Sequence, residues 1–403
     1  MIRSTKTTCK YANMDKKVLL KNLQDEYSRV VQQFIDIFWD LEKISCLIPK
    51  GQTSQIASWL SARMIQSAAK QASGIIRGTR QKQTQRLYQY NKLLKEGKLK
   101  HARRLWKSIE RNKVSKPELK VSIPMELDSR FIDIDIDNKT SFDGWVTISS
   151  IGNKQKIQIP FKRTKHFNEL FARGAIKQGV RVSSKQMTFM FDIEDKKKKE
   201  TGETKGLDIG IKKTFVMSDG QMPVPDRDGW NLDLIQKRLS VRKKGSQGFQ
   251  AAQDHRKNHI GWCFNQLDLS NTKEIRIEDI RNIRRGKSSN RFMSHWTYTE
   301  IFDRLESRCE STGVQLTKIC PTYTSQRCSV CGWVRKSNRK GESFRCGQCG
   351  NALDADLNAS MNIALESLSR IRKRQRLMGS NKTGFYWNPL VGKPIVSQAL
   401  KAG

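Results

Sequence analysis

Cys328, Cys331, Cys346 and Cys349 form two CxxC pairs separated by fourteen residues. Four thiolates brought to one point make a tetrahedral cation site, so the backbone between them has to turn back on itself. The gap is just short of the usual ribbon spacing of about 15 to 20 residues, but Gly332 and Gly350 follow the second cysteine of each pair, where such a turn is needed. With all four positions filled by protein, the expected zinc is structural. The rival reading, two disulfides, needs an oxidising compartment. The N-terminal MIRSTKTTCKYANMDKK has no apolar core for a signal peptide, and Cys9, Cys46, Cys263, Cys309 and Cys320 are scattered without pairing logic. Both features predict a reducing, cytoplasmic setting.

The charge balance restricts the partner. Among 403 residues, 76 Lys or Arg stand against 39 Asp or Glu, a formal net charge of +37. Such a field attracts polyanions and releases their counterions on binding, which favours nucleic acid over an anionic membrane. No apolar run reaches the roughly 18 residues a bilayer span needs. A chain of this length divides into several domains.

The apolar period changes twice along the chain. Leu20, Leu23, Tyr27, Val30, Phe34, Phe38 and Leu41 recur at steps of three and four, predicting a helix over 14–45. Further helices are expected over 55–76 and 81–111. Residues 61–120 hold 17 basic side chains against 3 acids, interleaved with Leu87, Tyr88, Tyr90 and Trp106, which points to polynucleotide contact. From Lys116 the period becomes two. Phe131 to Asp137 alternates apolar residues with Asp133, Asp135 and Asp137, the wet face of a strand rather than a metal site. Strands over 145–149, 156–161 and 187–193, separated by turns, suggest a small β-barrel. The run Lys196 to Lys199, ending near Gly202, reads as a linker. Beyond it, strands at 207–210, 214–217, 274–278 and 314–319 alternate with helices over about 231–267 (broken near Gly245 and Gly248) and 296–311, an α/β pattern.

Three separated acids stand out in this second half. Asp208 lies between Gly206 and Gly210, Glu278 ends the alternating strand Glu274–Glu278, and Asp356 opens a helix with the apolar face Leu357, Met361, Ala364, Leu365 and Leu368. Two divalent cations about 3.5 to 4 Å apart, held by oxygen ligands on rigid elements, can activate the water and stabilise the leaving oxygen when a phosphodiester is cut. As a trio in so basic a chain, these acids are candidate Mg²⁺ (or Mn²⁺) ligands of a nuclease.

Gly206-Leu207-Asp208-Ile209-Gly210-Ile211-Lys212, Ile277-Glu278-Asp279, Pro321-Thr322-Tyr323-Thr324-Ser325-Gln326-Arg327-Cys328-Ser329-Val330-Cys331-Gly332 and Asp356-Leu357-Asn358-Ala359 occur in that order. Together they resemble the TnpB proteins of insertion sequences and the related miniature type V CRISPR effectors. The likeness is dense over about 204–368 and architectural upstream. It implies an α+β multidomain protein: an N-terminal β-barrel interrupted by a helical lobe, then a RuvC-like domain of RNase H type carrying an inserted zinc ribbon. The implied segments are 1–13 (first barrel strand), 14–115 (helical lobe), 116–200 (rest of the barrel), 204–321 (first and second nuclease motifs), 322–353 (zinc ribbon), 354–376 (third motif and helix) and 377–403 (tail). Asp208, Glu278 and Asp356 fall on the acids of the three motifs, and Asp354 adds a second aspartate beside the third. The implied activity is RNA-guided DNA cleavage, with guide RNA, target duplex and displaced single strand as partners; one or two copies per guide stays open. The short helical lobe favours the transposon-encoded branch. A guide-independent structure-specific nuclease and a non-cleaving RNA-guided repressor are the alternatives.

Other basic features fit nucleic acid. Arg281, Arg284, Arg285, Lys287 and Arg291 form an expected phosphate-facing loop, and Arg327, Arg335, Lys336, Arg339, Lys340 and Arg345 are placed to grip a strand. His255 and His259, at i and i+4, are expected to be solvated or RNA-facing. In the tail, Arg370 to Arg376 precede Phe385-Tyr386-Trp387, which can stack on bases or dock on the protein itself.

Overall fold

The first strand finds its partner far along the chain. In a computed structural model, β1 (Ile2–Thr8) pairs antiparallel with Gln186–Ile193, Ile2 opposite Asp192 and Thr8 opposite Gln186. The intervening residues are therefore an insertion between two neighbouring strands. The structure describes residues 1–42, 44, 50–53, 55–136, 140–210, 212–280, 297–365, 384–388 and 393–395. Expectations for Asp137, for the basic loop at Arg281–Arg291, for Leu368 and for Arg370–Arg376 lie outside them. The chain forms two compact units, Met1–Glu194 and Asp195–Gly403.

In the first unit, α1 (Met14–Phe38) starts where the Asn13 side chain accepts the Lys16 amide. It buries the expected stripe from Leu20 to Phe38 but ends there, leaving Leu41 outside the helix and exposed. A single turn, α2 (Lys50–Thr53), precedes α3 (Ala62–Lys95) and α4 (Leu99–Arg111). The two helices expected over 55–76 and 81–111 are thus divided differently. Gly78 and Thr79 are inside α3, where the Thr79 hydroxyl bonds back to the Ile75 carbonyl at 2.8 Å. The break falls at Gly97, whose φ is +67°. Met64, Ala68, Ala72 and Ile76 of α3 are fully buried in the core with α1; beyond Ile76, α3 buries no side chain. Its outer half instead lies along α4, with the Tyr90 and Trp106 rings 5.0 Å apart.

The strands of this unit are β2 (Met125–Leu127), β3 (Ile132–Ile136), β4 (Gly144–Ile148), β5 (Ile157–Phe161), β6 (Gly174–Val182) and β7 (Gln186–Ile193), with α5 (Lys165–Phe171) between β5 and β6. They make two antiparallel sheets, β1-β7-β6-β2 and β3-β4-β5. One hydrophobic core, including Phe131, Phe161, Phe167, Phe189 and Phe191, joins both sheets to α1 and α3. Asp133 and Asp135 are exposed while Ile132 is buried, as alternation requires.

The second unit is built on a mostly parallel sheet of order β11-β10-β8-β9. Its elements are β8 (Glu203–Asp208), β9 (Val216–Met217), α6 (Leu232–Val241), α7 (Gln247–Asn265), β10 (Thr272–Glu278), α8 (Tyr298–Thr312) and β11 (Gln315–Ile319). Central β10 runs parallel to both β8 and β11. The lysine run expected to be a linker is tied to this unit: Lys199 Nζ donates to the carbonyls of Leu269 (2.6 Å) and Ser270 (2.8 Å). Short strands follow, β12 (Trp333–Val334), β13 (Arg339–Lys340), β14 (Ser343–Arg345) and β15 (Ala352–Asp354), then α9 (Ala355–Ala364), β16 (Phe385–Asn388) and β17 (Lys393–Ile395). β13, β14 and β15 form one small sheet and β12, β16 and β17 another. Two of the tail aromatics dock on the protein: Tyr386 packs on Trp333 at 4.9 Å and Phe385 on Tyr323 at 5.3 Å.

Candidate active site

Parallel pairing puts the carboxyl ends of neighbouring strands side by side, the place where α/β sheets bind ligands. Leu207 of β8 is in register with Ile277 of β10, so Asp208 and Glu278, the next residue on each strand, end these strands as neighbours. The third acid arrives by a close helix–strand approach. Gly206 lies under α9, where a Cβ would overlap the Ser360 carbonyl and come within 2.5 Å of the Ala364 nitrogen. Only glycine permits that separation. Arg276 on β10 secures the far end of α9, donating to the Ala364 carbonyl at 2.7 Å. Asp356, in the first turn of α9, therefore borders the same space. Asp208, Glu278 and Asp356 line one open cavity of about 700 Å³, together with Lys212, Asp233, Thr324, Arg339 and Glu342.

Bringing acids together in a partly dry site costs energy unless a cation answers them. Burial, then the charges of Glu278 and Asp356, push Asp208 up to about 8 from an ordinary 3.8. Burial also raises Glu278, against hydrogen bonding from Thr324 and the charge of Arg339. Arg339, on β13, donates to Asp356 Oδ1 at 2.8 Å. The guanidinium is a fixed cation at the acid cluster, and Asp208 and Glu278, whose charged forms it leaves incompletely answered, offer the oxygen ligands that a divalent ion takes. At the mouth, exposed Lys212 pairs with Glu342 at 2.8 Å.

The neighbouring aspartates are separated by their partners. Asp354 caps α9, its Oδ1 accepting the amides of Asp356 (3.0 Å) and Leu357 (3.1 Å), while Oδ2 takes Lys213 Nζ at 2.6 Å. Burial alone would raise this acid, but Lys213 and the two amides outweigh it and hold Asp354 below the usual carboxylate range. Neither Asp354 nor Asp279 lines the cavity.

The cysteine centre has a different geometry. The sulfurs of Cys328, Cys331, Cys346 and Cys349 all lie within 4.8 Å of one another, which among the described residues is true of no other group of three or more potential ligands. Cys328 and Cys349 are 3.7 Å apart and Cys331 and Cys346 3.6 Å. A disulfide needs about 2.05 Å, whereas tetrahedral bonds of about 2.3 Å to zinc give edges of about 3.8 Å. Each knuckle is closed by its glycine: the Gly332 amide reaches the Cys328 carbonyl at 3.0 Å and the Gly350 amide reaches Cys346 at 3.1 Å. Both glycines have positive φ, +80° and +73°. The donor set and its spacing fit zinc, with no position left for substrate.

Two sequence expectations change here. Arg327, placed among the strand-gripping cations, is buried at 6% exposure, its Nη1 donating to Asn362 Oδ1 at 2.7 Å. His259 is not solvated but 4% exposed; His255 and His259 both face Asp226, at 3.5 and 3.7 Å. Thr324 was missed as a site residue, although it lies in the quoted segment before Cys328. Its hydroxyl donates to Glu278 Oε1.

Comparison with known proteins finds several similar to this chain. The family model described as "Cas12f1-like, TNB domain" matches residues 298–363, the stretch from α8 through the cysteine centre into α9. A CRISPR-associated endodeoxyribonuclease Cas12f1 of Sulfoacidibacillus thermotolerans is 25% identical over 315 residues, 66% of this chain and 74% of that protein. A TnpB-like protein of Aquifex aeolicus is 33% identical over 90 residues, 22% of this chain and 29% of that protein. A solved Cas12f1–sgRNA–target DNA complex aligns over 91% of this chain and 99% of its own, at 14% identity and a TM-score of 0.45. The order of motifs and the sequence matches support the resemblance to TnpB proteins and miniature type V effectors.

Proposed function

We propose that the chain is an RNA-guided DNA endonuclease that cuts at the cavity of Asp208, Glu278 and Asp356. The observation that carries this reading is the pairing of β8 with β10, which sets two acids side by side at strand ends, with the helix bearing the third packed against Gly206. In this reading the second unit is RuvC-like, of RNase H type. Its first two motifs occupy 204–321, the zinc ribbon 322–353 and the third motif 354–376, with 377–403 as the tail. The two sheets of the first unit form the barrel (1–13 and 116–200), interrupted by the helical lobe 14–115.

Mg²⁺ or Mn²⁺ held by the three acids would activate the attacking water and stabilise the leaving oxygen. The protein's own share is positioning and charge. Asp208 and Glu278 stand on paired strands and so keep their spacing. Arg339 offsets part of the acid charge, and Lys212 at the cavity mouth is placed to meet a phosphate. The four cysteines would hold Zn²⁺, which would brace the hairpin that carries Arg339. Pairing between guide RNA and target supplies sequence selectivity, while the basic first unit reads a short flanking duplex. The displaced single strand fits an open cavity more easily than a stacked duplex.

The test is Mg²⁺-dependent cleavage of guide-matched DNA by wild type and Asp208→Ala, each with its copurified RNA. Loss of at least about a thousandfold in rate is expected, with RNA and DNA binding retained. Equal cleavage by both proteins would remove the acid site. Cleavage indifferent to the guide would favour a structure-specific nuclease, and binding without cleavage in wild type a repressor.

A further inference from the structure

A chain of buried polar contacts joins the two centres, and neither centre by itself requires it. Arg327 directly precedes Cys328, and a guanidinium stays charged in any protein interior. A buried charge is costly unless it is answered. Arg327 donates from Nη1 to Asn362 Oδ1 and, at 3.2 Å, to the Cys328 carbonyl, while its Nε has no hydrogen-bond partner. Among the described residues the ionisable groups acting on it are Cys328 and Cys331. Its natural counter-charge is therefore the thiolate cluster, which around one zinc ion keeps a formal charge of about −2.

Asn362 carries the connection onward. Fully buried on α9, it donates from Nδ2 to the Thr324 carbonyl at 3.0 Å and the Arg327 carbonyl at 2.7 Å. Thr324 is 2% exposed, and its hydroxyl is directed to Glu278 Oε1. We propose that Arg327, Asn362 and Thr324 form a relay through which the loaded cysteine centre sets the orientation of the Glu278 carboxylate, with Thr324 as the positioning residue. The assembled thiolates hold the guanidinium, the guanidinium holds Asn362, and Asn362 fixes the backbone that aims the Thr324 hydroxyl. Zinc is then more than a clamp on its own loop. It helps shape a carboxylate elsewhere in the unit. This deepens the nuclease reading and rests on it for the role of Glu278.

The experiment compares Thr324→Val, Thr324→Ser, Arg327→Met and Arg327→Lys in the full-length protein with its guide RNA. Three quantities are read: Mn²⁺ affinity by electron paramagnetic resonance, zinc retention against a chelator, and single-turnover cleavage against pH. Outer contacts to metal-binding carboxylates are typically worth about 10- to 100-fold. Thr324→Val should weaken Mn²⁺ binding and slow cleavage by that order, leave zinc content unchanged and shift the acidic limb of the pH profile upward. Thr324→Ser, which keeps the hydroxyl, should stay within about threefold of wild type. Arg327→Met should release zinc faster and, at full zinc loading, weaken Mn²⁺ as Thr324→Val does, with Arg327→Lys intermediate.

A Thr324→Val protein with wild-type Mn²⁺ affinity and pH profile overturns the relay. So does an Arg327→Met protein that loses zinc readily yet binds Mn²⁺ normally while zinc is present. Asp208→Ala separates the two levels. If it binds Mn²⁺ and cleaves like wild type, the nuclease reading fails; if it is inactive while Thr324→Val is silent, only the relay fails.

Discussion

The cysteine centre and the acid cavity lie in the same unit and are both candidate metal sites, yet they are assembled in opposite ways. The four cysteines fall within 22 consecutive residues, and two glycine turns suffice to face them together. The acids span 149 positions from Asp208 to Asp356 and line one cavity only because β8 and β10 pair in one register and α9 packs on Gly206. A local site can form as its loop folds, with its ion contributing folding energy directly. A site made by tertiary packing exists only once the sheet is complete, and it concentrates charge that the fold then has to tolerate. The ion should therefore be part of the structure at the first site and a visitor at the second.

Zinc removal should show the largest effect. In small zinc domains the apparent binding energy is on the order of 10 kcal/mol, so a strong thiol-competitive chelator or Cys331→Ser should unfold the segment around β12–β15. The expected signs are a lowered melting temperature and new proteolytic cuts between 328 and 350. Asp208→Asn should leave that segment protected. Proteolysis that treats the two variants alike would erase the distinction between a built-in ion and a visiting one.

The acid cavity should respond to pH in the opposite sense to an ordinary paired carboxylate. Asp208 is raised from 3.8 to about 8 in the folded chain, so folding favours its protonated form. Its stabilising contribution is fully present below the unfolded value and is lost as pH rises towards 8. Each unit of displacement is worth about 1.4 kcal/mol. With partial relaxation, Asp208→Asn should exceed wild type in stability by about 3 kcal/mol at pH 8 without added divalent ions. The gap should close towards pH 4, and Mg²⁺ should narrow it at pH 8 by stabilising wild type alone. Denaturant melts across this range measure it. A gap of constant size would mean that neither burial nor the neighbouring acids raise Asp208.

The same contrast explains what could be read from the chain before folding. The cysteine spacing, the alternation at Ile132–Ile136 and the stripe on α1 are local patterns, and each appears where expected. The extent of α3 was not legible, because Gly78 resembles a break although it sits on an exposed helical face; the turn falls at Gly97 instead. Gly206 stands two residues before Asp208 in the sequence, but nothing local says that α9 packs on it. Arg327 looked like one more surface cation in a basic segment. Its burial depends on Asn358 and Asn362, one turn apart on α9, receiving the loop before Cys328: both asparagine Nδ2 groups donate to the Arg327 carbonyl. No period or spacing announces such a contact, which pairs residues more than thirty positions apart.

The smallest test concerns two aspartates two residues apart. Asp354 spends both oxygens on the protein, one on the α9 amides and one on Lys213, whereas Asp356 faces the cavity and meets Arg339. Removing an N-cap costs about 1 kcal/mol, and the partly exposed Lys213 pair adds little. Asp354→Ala should therefore lower stability by about that amount and slow cleavage by no more than severalfold. Asp354→Ser, which still caps the helix, should be close to wild type. Asp356→Ser loses no cap, so any large fall in Mg²⁺-dependent cleavage there reports on the cavity. If cleavage instead collapses in Asp354→Ser and survives in Asp356→Ser, the roles of the two acids are exchanged, and the helix start serves the ion rather than the fold.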